Sequence, residues 1–207
     1  CGVCRGLIVV KSNCLATTHP ELAKEWHPSL NKGLTPYDFI AGSAKKVWWK
    51  CDEGIDHEWN AIVVNRSNGS GCPICDGKKV VLSNCLATTN PELSKEWHPT
   101  LNGDLTPHDV TQGTHLNIWW KCTKGPDHVW QATGTNRILH GTGCPVCSNR
   151  KAVKSNSLGH MEPNLALQWH PTKNGQLTPF DVVPGSNKKV WWKCDKGIDH
   201  EWQTSPN

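Results

Sequence analysis

Between Pro20 and Trp26 the apolar residues Leu22 and Trp26 stand four positions apart, with Ala23, Lys24 and Glu25 between them. That spacing puts both on one side of a helix. Pro20 suits the first helical position, Glu21 the positive end of the dipole, and Pro28 stops the run. The phrase returns at Pro91–Trp97 and Pro163–Trp169, each with its Leu/Trp pair. Each copy predicts a two-turn helix with an inward Leu/Trp edge. An Asn/Gly turn follows at Asn31–Gly33, Asn102-Gly103 and Asn174-Gly175. Leu-Thr-Pro-x-Asp then occurs at Leu34–Asp38, Leu105–Asp109 and Leu177–Asp181. Thr before Pro, with an acid three residues after the Thr, predicts one helical turn capped by the Thr.

Past a glycine turn (Gly42, Gly113, Gly185), the runs Val47–Lys50, Ile118–Lys121 and Val190–Lys193 are β-branched and aromatic. They read as strands. A second strand is expected from His57 to about Val64, with counterparts from His128 and His200. Trp48 and Trp49 are adjacent, so on a strand they face opposite sides. One fills a core beside Leu22 and Trp26; the other meets solvent, the next repeat or a partner. Trp49, Trp120 and Trp192 are assigned as the outward member. Glycine-rich loops at 68–71 and 141–143 carry the chain onward.

The pattern is therefore periodic. Trp-Trp-Lys-Cys occurs at Trp48–Cys51, Trp119–Cys122 and Trp191–Cys194, about 71 residues apart. A chain of 207 residues could hold one large domain. The repeat replaces that picture with modules: the end of a preceding repeat at 1–6, repeats at 7–79 and 80–151, and an incomplete repeat at 152–207. A module of this size rarely stands on an apolar core alone, and only 36% of the residues are hydrophobic. A metal is the usual supplement.

The cysteines supply it. A His follows each Trp-Trp-Lys-Cys at His57, His128 and His200, and Cys-Pro-x-Cys adds Cys72 and Cys75, then Cys144 and Cys147. Three thiolates and an imidazole in two short-spaced pairs are a tetrahedral structural zinc site. Cys51, His57, Cys72 and Cys75 form one, and Cys122, His128, Cys144 and Cys147 another. Cys1 with Cys4 is a second half without a first, and Cys194 with His200 a first half without a second. The chain thus reads as a piece of a longer, open array. Cys14 and Cys85 recur in Ser-Asn-Cys-Leu, where the third copy has Ser157; they are packing residues, not ligands. His27, His98 and His170 sit in His-Pro turns and are read as capping or packing residues.

A His recurring in register serves no disulfide, so eleven cysteines here point to a reducing or metal-buffered interior: cytoplasm, nucleus or organelle. No apolar run approaches a membrane span. The net charge of +4 permits contact with nucleic acid without arguing for it. Four filled zinc positions leave none for substrate, and no Ser/His/Asp set, phosphate loop or recurring carboxylate pair is present, so no enzyme is expected.

The string Pro-Glu-Leu-x-x-Glu-Trp-His-Pro, Leu-Thr-Pro, Trp-Trp-Lys-Cys, Asp-His-x-Trp, Asn-Arg, Cys-Pro-x-Cys resembles the tandem treble-clef zinc-finger repeats, also described as "probable zinc-ribbon" repeats. The resemblance covers nearly the whole chain. It implies an α+β fold: small zinc-stabilised treble-clef or zinc-ribbon-like repeats in a linear tandem array, each a short helix plus a β-hairpin. It also implies a module found in arrays, sometimes beside nuclease-like domains, in bacteria, large viruses, algae or protists. Two departures stand out: Leu116-Asn117 replaces Lys45-Lys46 and Lys188-Lys189, and Asn164 replaces the helix Glu.

Two functions follow. In the first, the array is a scaffold docking into a larger assembly of protein subunits through Trp-rich surfaces. In the second it binds DNA or RNA, with Lys50, Lys121, Lys193, Arg66 and Arg137 on phosphates and Trp49, Trp120 and Trp192 stacking on bases. The arginines could equally pair with Asp56 and Asp127 on the same hairpin. The mild charge and the missing Lys pair favour the scaffold.

Overall fold

A computed structural model describes residues 1–206. The first repeat runs α1 (Leu15–Thr18), α2 (Pro20–Lys24), a 3-10 turn (Pro36–Asp38), β1 (Lys46–Lys50), β2 (Glu58–Ile62) and α3 (Val63–Ser67). The second has α4 (Leu86–Thr89), α5 (Pro91–Ser94), β3 (Asn117–Lys121), β4 (Val129–Thr133) and α6 (Gly134–Ile138). The third has α7 (Leu158–Met161), α8 (Pro163–Ala166), β5 (Val190–Lys193) and β6 (Glu201–Thr204). Each strand pair is a two-stranded antiparallel hairpin. No helix among the described residues is long and apolar enough to cross a membrane.

The predicted two-turn helix is shorter than its Leu/Trp spacing implied. It stops at Lys24 because residues 25–27 leave it to pair with β1. The Lys50 N–H donates to Glu25 O (2.7 Å) and the His27 N–H to Trp48 O (3.1 Å). Trp26 therefore bridges Trp49 as a strand residue would. Asn31 extends this cover: its side chain accepts from the Trp48 N–H (2.8 Å) and donates to Trp48 O (2.9 Å), as a neighbouring backbone would. Asn102 and Asn174 hold Trp119 and Trp191 in the same way. The second strand also ends early, because Val63–Ser67 is helical despite its β-branched start. Val63 is fully buried, and that burial overrides its preference for strand.

The first core holds Leu15, Phe39, Val47, Trp49, Trp59, Val63 and Ile74, with Leu22 and Trp26 packed against it. Trp26 meets Trp49 edge to face at 5.4 Å, and Trp169 meets Trp192 likewise at 5.6 Å. Such pairs add about 1 kcal/mol beyond the area they bury. Each Leu-Thr-Pro-x-Asp turn in repeats 1 and 3 is tied by its acid: Asp38 accepts from both Thr35 N–H and Oγ1 (2.8 Å each). Those bonds hold the Asp38 carboxyl below its usual range.

Val81 of the second repeat also packs on the first core. Beside it, the Asn84 amide donates to Ile74 O (3.1 Å) and Lys79 O (3.0 Å), closing the Cys-Pro-x-Cys turn of the repeat before. Asn156 does the same to Val146 O and Lys151 O, and Asn13 to Val3 O and Ile8 O. Cys14, Cys85 and Ser157 follow these asparagines and are fully or almost fully buried. The Cys14 thiol donates to Lys11 O and the Ser157 hydroxyl to Lys154 O, so sulfur and oxygen do the same local work.

Packing divides the chain into two compact units, Cys1–Pro91 with Pro107–Gln112, and Glu92–Thr106 with Gly113–Asn207. One four-ligand cluster lies in each.

Candidate metal centres

β1 delivers Cys51 to the end of the hairpin, a tight return places His57 just before β2, and Cys72–Cys75 closes from the knuckle behind α3. The Cys51 N–H donates to His57 O (3.2 Å), fixing the two across the hairpin mouth. His57 Nδ1 stands 3.3 Å from the Sγ atoms of Cys51 and Cys75 and 3.9 Å from that of Cys72; Cys51 and Cys75 Sγ are 3.6 Å apart. In the second cluster His128 Nδ1 is 3.3 Å from Cys147 and 3.7 Å from Cys144, with Cys122 and Cys147 Sγ 3.7 Å apart. A zinc–sulfur bond of about 2.3 Å gives a tetrahedral edge of about 3.8 Å. The donors already sit at the corners of such a tetrahedron, and the set fits structural zinc.

Without a cation these thiols resist ionisation. Burial first, then the neighbouring thiols, push Cys75 up to about 12 and Cys147 up to about 11. Zinc supplies the positive charge that lets three thiolates share one site, releasing protons as it binds. Four protein ligands complete the coordination. The zinc is structural.

Two supports were not foreseen from the ligand spacing. The first is Gly54. A Cβ there would lie 2.5 Å from His57 Cδ2, and at Gly125 and Gly197 it would meet His128 and His200 at 2.6 and 2.7 Å. The Cδ2–Nε2 edge of the ring packs against the glycine, which recurs at a fixed distance before each His and could have been noticed for that. Gly54→Ala should tilt the imidazole and weaken zinc binding about 10–100-fold. Competition with a chelating dye measures it, and an unchanged affinity would show that the ring adapts.

The second support comes from the following repeat. Asp56, beside the ligand His57, accepts the Ser83 N–H (2.9 Å) and the Ser83 hydroxyl (2.5 Å). In the second cluster Ser155 N–H donates to Asp127 (2.9 Å) and its hydroxyl lies 3.4 Å from His128 Nε2. These bonds hold Asp56 and Asp127 below the usual carboxylate range.

The half-sites remain halves. Cys194 Sγ and His200 Nδ1 are 3.3 Å apart, while Cys1 and Cys4 are exposed. Neither pair joins a larger ligand group among the described residues. His27, His98 and His170 are turn caps: each Nδ1 accepts two backbone N–H groups two and three residues on. His27 and His170 then face Glu58 and Glu201 with Nε2, at 3.3 and 3.0 Å.

The groups that face outward differ from those expected. Trp49, Trp120 and Trp192 are buried, not exposed, because they share strand parity with Val47, Ile118 and Val190 on the core face. Trp48, Trp119 and Trp191 take the outer face and are half-buried. Arg66 and Arg137 are buried as well, and neither pairs with Asp56 or Asp127. The Arg66 guanidinium binds the Glu25 carboxylate and Ser70 O, and lies 5.3 and 5.1 Å from the rings of Trp49 and Trp59. Arg137 repeats this with Glu96 (2.5 Å), Thr142 O (3.1 Å), Trp120 and Trp130. Glu25 and Glu96 recur in register with the arginines, and that was the available signal. Lys50 pairs with Glu58 at 2.9 Å and Lys193 lies 3.5 Å from Glu201. Lys50, then His27, hold Glu58 low; Lys173, then His170, hold Glu201 down to about 2. Lys121 faces Val129 instead and is exposed.

A family model described as a probable treble clef zinc finger domain matches three times, over residues 22–78, 93–150 and 165–207. No curated protein matches the chain.

Proposed function

The chain belongs to the probable treble clef zinc finger domain family, and from that premise we propose that it is a non-catalytic scaffold whose repeats dock onto protein subunits inside the cell. One observation carries this reading. The aromatic and guanidinium groups best suited to nucleic acid are held inside the fold: Trp49, Trp120 and Trp192 in the cores, Arg66 and Arg137 on Glu25 and Glu96. A phosphate would have to displace a carboxylate from a buried guanidinium to reach either arginine. What recurs at the surface is apolar: Tyr37 and Phe180 on the Thr-Pro turn, Ile55 and Ile198 on the hairpin mouth, Leu30 and Leu101 after the histidine cap. Exposed apolar positions of this kind suit protein partners.

Lys45-Lys46 and Lys188-Lys189 are exposed just ahead of half-buried Trp48 and Trp191, and they favour the nucleic-acid reading. Leu116-Asn117 interrupts that series in the second repeat. Tryptophan-fluorescence titration with single-stranded DNA and RNA at two salt concentrations separates the two. The scaffold reading expects weak, unsaturable quenching. Saturable binding that weakens steeply with salt would replace it with the nucleic-acid reading.

A further inference from the structure

Each hairpin has one closed edge and one open edge. On β1, Trp48 turns its N–H to Asn31 and its C=O to the His27 N–H, away from β2. In an antiparallel ladder the residue opposite such a position also points its backbone groups outward. Asn60 stands opposite Trp48, so its N–H and C=O face away from β1 along the outer edge of β2. Neither group has a hydrogen-bond partner among the described residues. The same register puts Gln131 opposite Trp119 on β4 and Gln203 opposite Trp191 on β6.

The position next along this edge is closed. Glu58 donates to Asp56 O (2.9 Å) and accepts from Lys79 Nζ (2.9 Å). Val129 donates to Asp127 O (2.9 Å) and accepts from Lys151 Nζ (3.0 Å). The edge is thus a short window with a lysine at its end. In the first repeat it opens into a cavity of about 560 Å³ lined by Trp59, Asn60 and Ala61, by the loop residues Gly69 and Gly71, and by the paired Lys78 and Asp76. Glycines in the lining leave room for a second backbone to approach.

An outward N–H and C=O on one strand residue are complemented by another extended backbone, which offers both groups at the same spacing. Lys79 at the end of the window, and Lys151 at the matching place on β4, favour a segment with an acidic side chain at that end; Lys78 in the lining is already paired with Asp76 at 2.9 Å. We propose that the outer edge of β2, with its counterparts on β4 and β6, accepts an extended acidic peptide segment of a partner protein as an added strand. This rests on the scaffold reading above and names where and what the scaffold holds.

The test uses the full zinc-loaded chain, labelled with nitrogen-15 and titrated with a capped pentapeptide of alternating Glu and Val. Saturable shifts should centre on the Asn60, Gln131 and Gln203 amides. N-methylating the peptide on its strand-facing edge should weaken binding about tenfold or more, because it removes backbone hydrogen bonds and keeps the side chains. N-methylation on the opposite edge should change little. A Lys/Val pentapeptide should bind more weakly than the acidic one. Four results would overturn the proposal: no shift at millimolar peptide, equal affinity for the Lys/Val peptide, no penalty from edge-facing N-methylation, or shifts centred on Trp48 and Leu30 with Asn60 silent. The last would leave the scaffold reading standing and move its surface. Salt-sensitive shifts of the same amides by oligouridine, with none from peptide, would remove both.

Discussion

Cys72→Ser will leave the protein with one zinc where the parent holds two, and the first hairpin will unfold with it. The fourth corner of a tetrahedron cannot be filled by a hydroxyl that does not ionise near neutrality. Apparent zinc-binding energies in small fingers run to about 10–16 kcal/mol, and in such modules binding energy is folding energy. Cys51, Cys72 and the core residues Trp49, Trp59 and Ile74 belong to one buried cluster, so the metal and the core should be lost together. Metal analysis should show the loss of one equivalent, and tryptophan emission should shift to the red as Trp49 meets water. Cys122, His128, Cys144 and Cys147 lie in the other compact unit and should keep their zinc. A chelator should remove both. A Cys72→Ser protein that retains two zinc ions would show that this cysteine is not a ligand.

The second large effect is expected at Arg66. Its side chain is only 4% exposed, while that of its partner Glu25 is 35% exposed. The ion pair is therefore half in water, and its Coulomb energy is screened accordingly. The larger share of the loss comes from the guanidinium leaving Trp49 and Trp59 and from Ser70 O losing its donor. Together these put Arg66→Ala at about 3 kcal/mol of destabilisation. Arg66→Lys should recover little of it, since an ammonium has no planar face to lay on the rings and no fork for the carboxylate. Glu25→Gln should cost less than either, because an amide oxygen still accepts. Gln168 occupies the equivalent position in the third repeat. Urea denaturation followed by the first unit's tryptophans would measure the series. An Arg66→Ala change within about 0.5 kcal/mol of the parent would place this residue with ordinary surface positions.

The zinc ligands were legible because the chain aligns with itself. A His at one short spacing after each Trp-Trp-Lys-Cys, followed in two copies by Cys-Pro-x-Cys, is the paired-ligand pattern that a tetrahedral metal needs. The inward tryptophan was equally legible in principle. Val47, Trp49 and Cys51 share one parity, and a zinc ligand must face inward, so Trp49 goes inward with it. An adjacent Trp pair by itself leaves either member free to face inward, and only the ligand's parity decides between Trp48 and Trp49. The helix boundary was not legible. A spacing of four between Leu22 and Trp26 fits a two-turn helix, and also fits a single turn followed by an extended segment bridging β1. Only the strand's need for a partner decides between them. Arg66 was hidden for a different reason: its carboxylate lies 41 positions back along the chain. No local period reports a contact of that length, although the paired recurrence of Glu and Arg does. Gly54 adopts no backbone angle that marks it as special; its recurrence three residues before each His was legible, while the reason for it, the imidazole packed against it, is a contact in three dimensions.

The asparagine joints carry a consequence for how such a chain changes over generations. Asn84 caps a knuckle that ends at Lys79, so each joint is encoded half in one period and half in the next. Duplicating one complete period restores a whole joint wherever the breakpoint falls, since every period brings a knuckle at one end and an asparagine at the other. Inserting a fraction of a period strands an asparagine without its carbonyls. Copy number is thus free to drift in integers under unequal recombination, with no requirement that the cut respect a domain boundary.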